Sequence, residues 1–251
     1  MSELDLAARA LTARNLEDYA SCPRKLMFSI TASREELEKL LGGPAMLTRA
    51  IRTALQDTLS GRPLAELDRA ALLAAFEASF EGRYCADSRE EDELRETGRE
   101  VLAAYARRGA EPGAGGVRVE AGDLQFEGQI EGQPFRASAD LILVSDGQRE
   151  LVRCSMSRRL PTPAELGQDA NVLLLHELAS QRYNEGETRI VVEALRHDAR
   201  VIPEFGEGRE AGLAELVRAA GGIRRARDFP PAKGEHCRWC RSRRRCPAWR
   251  R

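Results

Sequence analysis

The stretch 117-VRVEAGDLQFEGQIEGQPFRASADLILVSDGQRELVRCSM-156 decides the fold. Within it apolar residues alternate, where upstream they recur every three or four positions. Strands are predicted at 117–121, 124–131, 135–144 and 150–156, with Glu131-Gly132 and Asp146-Gly147 as hairpin turns. Downstream, an amphipathic helix is predicted over 164–184, strands at 188–195 and near 199–203, and a helix over 208–220. Upstream, helices are predicted over 12–20, 34–41, 45–59, 64–82 and 88–108, with breaks at 42-GGP-44, 61-GRP-63 and 109-GAEPGAGG-116. A strand meander followed by helix, strand and helix implies an α/β fold with a central mixed sheet flanked by helices.

The chain has 251 residues, 42% of them hydrophobic and 31% charged, enough apolar mass for a core. Aliphatic runs such as 141-LILV-144 and 172-VLLL-175 are too short to span a bilayer, and MSELDLAARA lacks the basic-then-apolar pattern of a secretory signal. A cytoplasmic protein without membrane contact is expected. The 39 basic and 40 acidic residues nearly cancel, yet Lys233 to Arg251 holds eight basic residues against Glu235 alone. A chain polarised in this way suggests a polyanion contact at one end.

Six cysteines in a chain of this kind are expected to be reduced thiols or metal ligands. Cys237, Cys240 and Cys246 form C-x2-C-x5-C, and Cys22, in 19-YASCP-23, is the best candidate for a fourth ligand. Thiolate sets with such spacing select zinc or iron–sulfur clusters. His236 could replace one thiolate, though beside Cys237 it reads as a bystander. Cys85 and Cys154 read as free thiols. A metal joining Cys22 to the far end would pin distant parts of the chain together.

Four stretches carry a resemblance to a known family: 12-TARNLEDYASCPRKLMF-28, the strands 117-VRVE-120, 135-FRASADLILV-144 and 150-ELVRCSMS-157, the helix–strand pair 164–195, and 229-FPPAKGEHCRWCRSRRRCPAW-249. Their order resembles the RecB-like iron–sulfur branch of the PD-(D/E)XK nuclease superfamily, the type of the AddB nuclease domain and the CRISPR-associated RecB-like exonucleases. The resemblance implies a PD-(D/E)XK-like core from 1–44 and 117–251, a helical insertion at 45–116, and a terminal Cys cluster. It also implies a 4Fe–4S cluster on Cys22, Cys237, Cys240 and Cys246. Spacing alone leaves Zn as the alternative.

Nucleases of that family use acids to hold Mg²⁺ or Mn²⁺ beside the scissile phosphate, with a lysine two residues after the second acid. Asp140 and, upstream, Glu120 supply residual acids. Ala137 stands at the family glycine. Arg153 stands at the second acid, Ser155 at the lysine, and 151–164 contains no Asp or Glu. The family histidine is replaced by Thr48 or Arg49, and the Gln-x-x-x-Tyr signature reads Asn171 to Leu175. An arginine where a cation should bind favours phosphate. The expectation is a catalytically degenerate nuclease fold that binds DNA, single-stranded or at ends, without sequence preference. It would serve a repair, recombination or defence system beside a protein partner such as a helicase or nuclease complex. Arg24, Lys25, Arg153, Arg158, Arg159, Arg241, Arg243, Arg244 and Arg245 are the expected phosphate contacts. Trp239 and Trp249 could stack bases or cover the cluster. The alternatives are an active metal-dependent exonuclease or endonuclease using Asp140 and Glu120, and a zinc-stapled protein-interaction domain.

Overall fold

Strand pairing begins at two tight turns. Glu131-Gly132 and Asp146-Gly147 all have positive φ (47°, 72°, 50° and 79°), the conformation that matches a two-residue turn to the twist of its strands. They join β1 (Arg118–Ile130), β2 (Gln133–Ser145) and β3 (Gln148–Ser155) into an antiparallel meander. The computed structural model describes residues 6, 8–110, 116–184, 187–240 and 242–249, and only the backbone of Arg34, Leu40 and Arg244.

Beyond the meander the chain crosses over through α7 (Pro163–Gly167) and α8 (Ala170–Ser180) to β4 (Thr188–Ala194), which pairs parallel to β3. β5 (Ala199–Val201) pairs antiparallel to β4, giving a mixed five-stranded sheet in the order β1-β2-β3-β4-β5. The expected mixed α/β architecture is present. Helices α1 (Ala13–Ser21), α2 (Pro23–Thr31) and α3 (Arg34–Leu41) precede α4 (Gly43–Leu59), α5 (Arg69–Ser79) and α6 (Ser88–Gly109), and α9 (Gly208–Arg225) follows β5. Among the described residues no helix is long and apolar enough to cross a membrane.

Alternation along the strands builds a core on each face of the sheet. Leu151, Ile190 and Val192 face Leu16, Leu174, Leu175 and Ile223 of α1, α8 and α9. Val152, Cys154 and Val191 face Ile51, Leu55, Phe76 and Leu102 of α4, α5 and α6. Residues 45–109 therefore share a core with the sheet. A buried charge cluster adds to this: Glu193 of β4 lies 2.9 Å from both Arg108 of α6 and Arg200 of β5.

Several elements differ from the sequence expectation: the helix expected over 64–82 is a 3₁₀ turn (Leu64–Glu66) followed by α5, and α2 was not expected. β1 is continuous where two strands were expected, because Asp123 adopts φ 49° within it and a bulge lies between Val119 and Ala121. The helix expected over 164–184 is two helices. The Asp169 side chain accepts hydrogen bonds from Asn171 N and Val172 N and starts α8 afresh, after α7 with its own Thr162–Glu165 capping box. Cys22 is extended (φ −168°, ψ 117°) and divides α1 from α2, and Pro23 opens the second helix.

Close approach of α5 to α6 depends on Gly98, where an added Cβ would stand 2.2 Å from Phe76 Cζ. Gly98→Ala should therefore destabilise the fold by about 1–3 kcal/mol, read as a lower urea midpoint. An unchanged midpoint would contradict this packing.

Candidate metal centre and the Asp140 pocket

Each C-terminal cysteine belongs to a tight turn. Cys240 N donates to Cys237 O (3.4 Å), Arg243 N to Cys240 O (3.1 Å), Cys246 N to Arg243 O (3.2 Å) and Trp249 N to Cys246 O (3.0 Å). These turns and the extended break at Cys22 bring Cys22, Cys237, Cys240 and Cys246 into the wall of one small pocket. None forms a disulfide; Cys22, Cys237 and Cys246 are buried and Cys240 is partly exposed. Ala232 N donates to Cys22 Sγ (3.4 Å), Cys237 Sγ donates to Ala232 O (3.8 Å), and His236 Nε2 is 3.6 Å from Cys237 Sγ. Burial pushes the Cys240 thiol above its ordinary range, with Cys237 and Cys22 adding to the effect.

The donor chemistry fits a soft metal or cluster: four unpaired thiols from two distant parts of the chain line an apolar pocket. The thiols are gathered but not closed around a point. Among the described residues no group of three Cys, His, Asp or Glu side chains stands ready to hold an ion. Trp249 lines this pocket, with Arg243 (4.2 Å) and Lys233 (5.1 Å) over its ring. Trp239 lies outside it and is 81% exposed. The two tryptophans are thus in different settings.

The second site lies where β2 and β3 part. Their ladder runs from Leu141 to Ser145, and Arg153 pairs instead with Val192 of β4. Just beyond the ladder, Asp140 Oδ2 accepts the Cys154 backbone N–H at 2.7 Å. Its Oδ1 lies 3.3 Å from Arg52 Nε of α4, and Arg52 also donates to Cys154 O at 2.8 Å. Gln56 donates to the Asp140 carbonyl (3.1 Å). The buried carboxylate is therefore engaged at both oxygens.

Asp140 opens onto a pocket of about 1,120 Å³ that Thr48, Arg49, Arg52, Gln56 and Asp123 also line. Glu120 is not in its wall; it sits in the β1 bulge, exposed, 3.2 Å from Arg149. Arg49 is ion-paired with Glu38. Arg153 is half-buried, and none of the hydrogen bonds or ion pairs among the described residues uses its side chain. Burial lowers its pKa, opposed by the nearby Asp140 charge. Ser155 is also half-buried, and its Oγ accepts from Ser157 N. Sequence reasoning missed Arg52, Gln56 and Asp123. The available signal was Thr48, Arg52 and Gln56 at four-residue spacing on one face of an amphipathic helix, and a Gly122-Asp123 turn signal inside a strand pattern.

The remaining expected phosphate contacts have varied settings. Arg158 is exposed, and no hydrogen bond or ion pair among the described residues uses it. Arg159 is paired with Glu165, whose pKa falls to about 2 through hydrogen bonds from Arg159 and Thr162. Lys25 pairs with Asp18 (2.9 Å) and Arg245 with Glu36 (3.1 Å). Arg24 lines the cysteine pocket, where its Nε is buried without a hydrogen bond. Arg241 and the Arg244 side chain lie outside the described residues.

No known protein family and no curated protein matches the sequence.

Asp140→Ala would leave the Cys154 N–H without its acceptor and the Arg52 guanidinium without its counter-ion. A loss of about 2–3 kcal/mol is expected in urea unfolding. A stability equal to the parent chain would show that the carboxylate does not hold β2, β3 and α4 together.

Proposed function

We propose that the chain is a nucleic-acid-binding module on a nuclease-like α/β frame, whose Asp140 pocket receives a phosphate rather than a catalytic divalent ion. The observation that carries this reading is the pairing of Asp140. Asp140 Oδ2 accepts the Cys154 N–H and Oδ1 lies 3.3 Å from the Arg52 guanidinium, a fixed positive charge that opposes binding of a divalent ion there. Arg52 and Arg49 are the guanidiniums in the pocket wall. Arg153 lies outside that wall, half-buried, and no hydrogen bond or ion pair among the described residues uses its side chain, which makes it a further candidate to pair with a phosphate oxygen. Exposed Arg158 extends the positive surface toward the following loop. Contacts of this kind give salt-dependent binding without sequence preference.

In this reading Cys22, Cys237, Cys240 and Cys246 hold a 4Fe–4S cluster, with zinc as the alternative. When bound, the metal supplies a crosslink between the α1–α2 break and the C-terminal turns. Cys85 and Cys154 lie apart from the pocket. A nuclease reading has one observation in its favour: Asp123 and Asp140 line the same pocket and could share a cation.

The test is retention of labelled DNA by anaerobically purified protein across a salt series. Arg153→Ala and Arg158→Ala should each weaken binding and flatten the log affinity–log salt slope by about one. Unchanged slopes would remove both arginines from the interface.

The cysteine assignment has its own test. Cys22→Ser and Cys237→Ser should both abolish bound iron or zinc in metal analysis and lower Tm. Cys85→Ser should retain both. Full metal content in Cys22→Ser would overturn the four-thiol set.

A further inference from the structure

Beside the cysteine pocket runs a second, larger groove of about 1,260 Å³. One wall comes from α1, α2 and α3, through Arg14, Lys25, Phe28 and Leu37; the other is the C-terminal segment with Trp239. We propose that this groove binds single-stranded nucleic acid by stacking an unpaired base on Trp239, an inference that rests on the nucleic-acid-binding reading above.

Three observations carry it. Trp239 is 81% exposed, far more than Leu37 or Phe28 behind it, so a large flat apolar face is presented to solvent at the mouth of a groove. Indole faces in such a position stack bases of any identity. Cations flank it: the Arg238 guanidinium lies 5.9 Å from the Trp239 ring centroid, and Arg14 and Lys25 line the groove. Arg14 and Lys25 share the buried carboxylate of Asp18, at 3.1 and 2.9 Å, and Arg14 also lies 3.9 Å from Glu17, so of these cations the one that no carboxylate among the described residues pairs with is Arg238, beside the Trp239 ring. Charge and platform together match an unpaired strand. A duplex, whose bases remain stacked on one another, could offer Trp239 only its terminal pair.

The groove is also tied to the metal centre. Lys25, Phe28, His236 and Cys240 line both it and the cysteine pocket. Among the described residues, the wall that carries Trp239 consists of short 3₁₀ turns, with no strand or longer helix. Strand binding should therefore depend on an intact cysteine centre.

The test measures fluorescence anisotropy of a labelled oligothymidine and of an abasic oligonucleotide of equal length, using the full metal-loaded chain. The parent protein should prefer the thymidine strand. Trp239→Ala should lose about five- to a hundredfold in affinity for it, with little change toward the abasic strand, and Trp239→Phe should recover most of the loss. Such an exposed side chain can be removed without opening a core. Unchanged thymidine affinity in Trp239→Ala, or an equal loss on the abasic strand, would overturn the groove while leaving DNA binding in place. Failure of the parent protein to retain either strand at low salt would overturn the underlying reading as well.

Discussion

Where β3 leaves the edge of β2, one carboxylate takes over from the strand ladder. Asp140 accepts the Cys154 backbone N–H and pairs with Arg52, which in turn donates to the Cys154 carbonyl. Two strands and the first helix of the 45–109 segment meet at this point. A buried acid in such a setting cannot be exchanged cheaply, because its partners are themselves removed from bulk water. The site thus has a structural reason to retain an aspartate whatever chemistry takes place there. Arg52 and Arg49 bring positive charge to the same pocket, and Arg153, outside its wall, is used by no hydrogen bond or ion pair among the described residues.

The cysteine pocket acts over a longer range. Cys22 separates two helices near the start of the chain, and the other three thiols lie on consecutive tight turns near its end. Those turns bury little apolar surface: Trp239 and Trp249 are both exposed, and Cys237 and Cys246 are the buried apolar side chains of the segment from 235 to 249. A crosslink there would hold a segment that packing alone holds weakly, and would remove a large closure entropy from the unfolded chain. The same turns carry Trp239 opposite α1–α3, in the wall of the second groove.

Much of the frame was legible in the sequence. Glu131-Gly132 and Asp146-Gly147 marked the hairpins because left-handed backbone at both positions favours such pairs. The end of helix α3 was marked by the 42-GGP-44 break, and the structure adds the Ser33 cap at its start. Less legible were events decided by a side chain acting on backbone: Asp169 restarting a helix, and Asp123 bending a strand without ending it. The Asp140 pocket was only half legible. The family resemblance drew attention to Asp140 and Arg153, but Arg52 arrives from a helix remote in sequence. Glu120 looked like a partner for Asp140 until the bulge in β1 placed it with Arg149 and gave Asp123 to the pocket. The basic tail likewise read as one cationic run, whereas Arg245 is held by Glu36 and Arg243 is stacked on Trp249.

The central claim is that the Asp140 pocket binds phosphate without cutting. Its most direct test is incubation of end-labelled single- and double-stranded DNA with anaerobically purified protein in Mg²⁺ or Mn²⁺, alongside Asp140→Asn. Retention of intact DNA by the parent protein is the predicted result. Cleavage by the parent that disappears in Asp140→Asn would contradict the account and make the Asp123–Asp140 pair a working metal site.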